Sequence, residues 1–136
     1  MGTIPTPEFP AAGVLWRGWD DETLRIIDEK HQPVLLFVRD TDPLVWPFLR
    51  ETFHAMPKNA KLCALVHERC TALYTEVETL PEELKLLGAG TRYHIAILSP
   101  YGLTPIVTID PTGGGRPAEI VERIVALLER MLEAWR

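Results

Sequence analysis

The chain predicts an α/β domain whose central mixed sheet, of about four strands, is flanked by helices and preceded by an N-terminal extension. Three observations carry that expectation. Val34–Val38 is an unbroken apolar run of strand length, as expected for a central strand covered on both faces. His94–Leu98 and Pro105–Ile109 are two apolar runs joined by a turn containing Ser99, Pro100 and Gly102, which reads as a hairpin. Pro117–Trp135 closes the chain with a wide apolar stripe at helical spacing.

The remaining elements follow in order. Residues 1–13 contain Pro5, Pro7 and Pro10 with little periodicity, so an extended arm is expected, with the domain proper over 14–136. Val14–Trp16 reads as a short edge strand or an anchor. Asp20 or Asp21 can cap a helix whose apolar face holds Leu24, Ile26 and Ile27, and Pro33 stops it. After the Val34–Val38 strand, Pro43 suits the first position of a second helix. Pro47 requires that helix to start late or to kink. Phe48, Leu49, Thr52 and Phe53 continue its apolar side. Ala60–Glu68 reads as a helix with Leu62, Cys63 and Val66 inward. Thr71–Val77 alternates like a strand, and Leu80–Leu87 is a short helix ended by Gly88.

Composition narrows the function. With 136 residues, 46% of them hydrophobic, one domain with a substantial core is expected. A net charge of −5 and no Lys/Arg block argue against nucleic-acid binding. No apolar run approaches a membrane span, and the first ten residues lack a signal peptide's basic start and apolar stretch. A cytoplasmic protein is the expectation. Cys63 and Cys70 are seven residues apart, which matches neither a zinc knuckle nor a redox pair; two small interior side chains are expected. His31, His54, His67 and His94 show no metal-ligand spacing, so no metal and no cofactor is expected. Gly113–Gly115 and Arg116 precede a helix but lack the Lys-Ser/Thr of a phosphate loop. Asp40 and Asp42 at a strand–helix junction point to capping and turn formation rather than acid–base work.

Certain residues resemble a family. Trp16-Arg17-Gly18-Trp19, a capped helix and then Gln32-Pro33-Val34-Leu35-Leu36-Phe37-Val38 are similar to the opening of thioredoxin-like domains. Glu51-Thr52-Phe53 resembles a triplet of the active-site helix, and Ile95–Gly102 resembles that family's strand and turn. The resemblance covers roughly residues 14–135 and implies a thioredoxin-like fold. It puts Asp42 and Val45 at the two redox-cysteine positions and Tyr93 at that of the cis-proline. A carboxylate suits a helix N-terminus electrostatically, yet it cannot exchange disulfides. The resemblance therefore implies the scaffold without the reaction.

The expected function is non-catalytic binding of a protein or peptide partner. The groove would be formed by the Asp42–Trp46 helix start, the Arg92–His94 loop and the Gly113–Gly115 loop, with Asp42, Pro43, Trp46, Arg92, Tyr93, His94 and Gly114 as its residues. Trp46, Tyr93 and Tyr101 would supply aromatic contact area near that edge. The wide stripe of the last helix points to a homodimer contact through Val121, Leu128 and Trp135. The competing class is an enzyme: a thiol-dependent oxidoreductase using Cys63 and Cys70, or a transferase holding a thiol cofactor in the groove.

Overall fold

The computed structural model describes residues 14–111 and 115–134. The proposed N-terminal arm, Gly114 and Trp135 lie outside them. Ten regular elements follow in chain order: β1 (Trp16–Arg17), α1 (Asp21–Lys30), β2 (Val34–Arg39), α2 (Trp46–Ala55), α3 (Ala60–Arg69), β3 (Thr71–Glu76), α4 (Glu82–Leu86), β4 (Ile95–Leu98), β5 (Pro105–Ile109) and α5 (Pro117–Ala134). They make one mixed sheet in the order β1-β3-β2-β4-β5. The sheet has five strands where about four were expected, because the Val14–Trp16 segment does pair, through Trp16 and Arg17 against Ala72 and Leu73.

β1 and β2 run parallel to β3, whereas β4 is antiparallel to β2 and to β5. The apolar run of β2 is continuous because the strand is central and both its faces are covered. Its alternate residues divide between two cores. Leu35 and Phe37 face one core with α2, α3 and α5; Val34, Leu36 and Val38 face the other with α1 and α4. The first core is aromatic. Phe53 of α2 lies 4.6 Å from Phe37 and 5.6 Å from Trp16, centroid to centroid. Such rings bury large areas and prefer tilted or offset contact.

Local chemistry accounts for the helix limits. The Asp20 side chain accepts the Thr23 N–H at 2.8 Å and so caps α1, and His31, in the left-handed region at φ 52°, ends it. Asn59 caps α3 in the same way, through the Leu62 N–H at 3.0 Å. The second helix begins late. Pro43–Val45 form a turn, and α2 starts at Trp46 with Pro47 in its first turn, so Pro43 is not its first residue. The physical reason is that Pro47 has no N–H to give the Pro43 carbonyl, so regular helix cannot extend back that far.

The stripe of α5 is wide because the helix packs on α2 and α3 at once. Val121 and Leu128 are buried in that packing, at 1% and 0% exposure, which removes them as surfaces for a second copy. No helix among the described residues is long and apolar enough to cross a membrane.

Candidate functional site

At the C-terminal end of β2 the chain leaves the sheet through Asp40, and the antiparallel partner strand begins there. The register pairs Phe37 with Ile95, and the Val38 N–H donates to the His94 carbonyl at 2.7 Å. That geometry carries the His94 ring to Asp40: Nε2 lies 2.9 Å from Asp40 Oδ2, with the two side chains 14% and 17% exposed. The other carboxylate oxygen, Oδ1, accepts the Asp42 N–H at 3.0 Å. Burial opposes charge on Asp40, but the Asp42 amide and the His94 ring outweigh it and hold the carboxyl below its ordinary range. With the carboxylate ionised, Nε2 carries the hydrogen and donates, leaving Nδ1 as the second ring nitrogen.

A cleft of about 250 Å³ opens beside this pair. One wall is Arg92, Tyr93 and His94; another is Val45, at the start of α2; the third is the end of β5, Thr108 and Ile109, with Asp110 and Pro111 beyond it. Arg92 is exposed and makes no ion pair among the described residues, so its guanidinium is available to a carboxylate from outside. Arg39, next to the junction, is committed elsewhere. It donates to Glu76 Oε2 at 2.9 Å and sits 5.1 Å above the Trp46 ring.

The predicted groove is thus partly assembled. Arg92, Tyr93 and His94 line one cleft with Val45. Asp42 and Pro43 are exposed but outside its walls. Asp42 is not the cap of α2: the residue before the helix is Val45, and the Asp42 carboxylate instead accepts the Leu44 N–H at 2.9 Å within the turn. Trp46 is half-buried under Arg39 and is not a cleft wall.

Tyr93 is 4% exposed and packs in the α1–α4 core; its hydroxyl is buried with no hydrogen-bond partner among the described residues, and burial raises its pKa. No cis peptide occurs among the described residues. Tyr101 lies far from the cleft, stacked on His31 at 5.3 Å. The three aromatics expected at one edge are therefore in three places. Sequence reasoning also missed Thr108–Pro111 and the ion-pair role of Asp40. The turn formed by Asp40 was foreseen; its second oxygen was not. The pair follows from the antiparallel β2–β4 register, which sets His94 opposite Val38.

Cys70 sits at the other end of the sheet. Cys70 directly precedes Thr71, which pairs with Val34 at the start of β2, whereas Asp40 follows its last residue. A strand rises about 3.3 Å per residue, so six residues separate the two positions by roughly 20 Å. Cys70 is buried and its thiol is pushed up to about 12 by burial; burial also raises Cys63. Both are free thiols. They span α3 at a spacing of two turns, about 10 Å of helix rise, beyond the reach of about 7 Å between Cα atoms that a disulfide allows.

Among the described residues the cleft lining includes neither serine nor cysteine, and no group of three or more His, Cys, Asp or Glu side chains is placed to hold a metal ion. An oriented imidazole beside an exposed arginine can accept hydrogen bonds and bind carboxylate. Compared with protein-family models, the chain matches none, and no curated protein matches it either.

Proposed function

We propose that this chain is a thioredoxin-like domain that acts by recognition and not by thiol chemistry, binding an extended peptide of a protein partner in the Val45–Arg92–His94–Thr108 cleft. The observation that carries the reading is the separation of functions within the sheet. The cleft at the end of β2 holds an arginine with no ion pair among the described residues and an oriented histidine, while neither thiol lines it and both have raised pKa values. The element order and the resemblance around Trp16–Val38 and Glu51–Phe53 support the scaffold assignment. Asp42 and Val45, at the positions of the family's redox pair, support the loss of its reaction. Arg92 favours a peptide presenting an acidic side chain or a terminal carboxylate. Two unpaired cysteines fit a reducing, cytoplasmic setting.

Selection of a random-peptide library on the immobilised protein tests this. Acid-bearing peptides are expected, and Arg92→Glu with His94→Ala should release them. Reduction of insulin disulfides that disappears in a Cys63→Ser/Cys70→Ser variant would instead establish the oxidoreductase reading.

A further inference from the structure

A second pocket lies at the opposite end of β4 from His94. It holds about 340 Å³, within the range of sites that accept a ligand group. Its floor and walls are apolar: Trp19 and Leu24 at the start of α1, Leu87 just after α4, and Pro100 and Leu103 in the β4–β5 turn. Two carboxylates line it, Asp28 from α1 and Glu83 from α4. Both are exposed, and neither has a hydrogen bond or ion pair among the described residues. No lysine or arginine among the described residues lines the pocket to neutralise them.

Leu103 adds a further constraint, because it is a non-glycine residue held in the left-handed region, at φ 57°. That conformation is disfavoured for a branched side chain, and here it belongs to a residue of the pocket wall. Apolar surface continues nearby: Leu86, beside Leu87, is 79% exposed, and Tyr101, between Pro100 and Gly102, is 64% exposed. An apolar slot lined by two carboxylates and by no described lysine or arginine is complementary to an apolar anchor flanked by cations. The surrounding exposed Leu86 and Tyr101 favour an occupant larger than a single amine.

We propose that this pocket docks a basic amphipathic peptide segment. One large apolar side chain enters between Trp19, Leu24 and Leu103, and lysine or arginine side chains on either side of it meet Asp28 and Glu83. The site is separate from the Val45–Arg92–His94–Thr108 cleft, shares no lining residue with it and does not depend on it.

The test is an NMR titration of the protein with a short synthetic helix carrying a leucine face and a lysine face, beside the same peptide with glutamate in place of lysine. Saturable shifts at Trp19–Asp28, Glu83–Leu87 and Tyr101–Leu103 are expected with the lysine peptide and not with the glutamate one. Charge reversal at two exposed positions, Asp28→Lys with Glu83→Lys, should weaken the lysine peptide by roughly tenfold or more, through like-charge repulsion at the rim. Equal binding of the glutamate peptide overturns the proposal without recourse to any variant. So do binding that survives the charge reversal, and shifts centred on Val45 and Arg92–His94. Saturation by a simple alkylammonium ion as readily as by the peptide overturns it in favour of a small-molecule site.

Discussion

The two ends of the β2–β3 pair are built from opposite materials. At one end Val34, Thr71 and Cys70 are buried, and the thiol of Cys70 is surrounded by core. At the other, Arg39 pairs with Glu76, and Asp40 meets His94 beside an open cleft. The same strands thus pass from a dry end to a charged one within six residues. The difference teaches where chemistry can occur in this domain. Within the β2–β3 pair the ionisable side chains lie where the parallel strands finish, and Cys70 lies where they begin.

Substitutions along this axis should show the contrast as a gradient. The largest effect belongs to the dry middle of the strand. Leu35→Ala, at a fully buried position, should cost about 2–5 kcal/mol in denaturant unfolding, from lost transfer energy and the cavity left behind. At the charged end Asp40→Asn should cost less, about 1–2 kcal/mol, between the values of exposed and fully buried pairs. Its pH signature is more specific. The folded carboxyl titrates below its unfolded value, so its stabilisation is complete above about pH 4 and is lost as pH falls through the folded pKa. The Asn variant should lack that acid limb; an unchanged limb would mean that the pair carries none of it.

Thr75→Val, on β3 near the charged end, should stabilise by about 1 kcal/mol, because the Thr75 hydroxyl is buried with no hydrogen-bond partner among the described residues. A loss of stability there would mean that the hydroxyl does have a partner. Arg25→Ala should change stability least, by about 0.5 kcal/mol or less, since its pair with Glu29 is exposed on α1. Thiol labelling compares the ends chemically: Cys70 should be inert to a thiol reagent until denaturant is added, with Cys63 reacting slowly.

Much of this architecture was legible in local patterns. The Asp20 cap, the β2 run, the Pro105–Ile109 hairpin strand and the α5 stripe each follow from spacing and turn residues within one segment. The site was less legible, because it depends on register between segments. Arg92 and His94 do line a cleft. Yet the Asp40–His94 pair exists only because Phe37 pairs with Ile95, and Thr108–Pro111 reach the cleft only because β5 pairs with β4. Tyr93 looked like a contact residue, but its ring fills the α1–α4 core. The stripe of α5 suggested a second copy of the chain, and two helices of the same chain account for it.

The measurement closest to the central claim is an NMR titration of the protein with a peptide selected for binding, repeated on a Cys63→Ala/Cys70→Ala variant. The account predicts shifts at Val45, Arg92–His94, Thr108 and Ile109, with affinity unchanged when the thiols are removed. Shifts centred on Cys63 and Cys70, or binding that disappears with them, would contradict it.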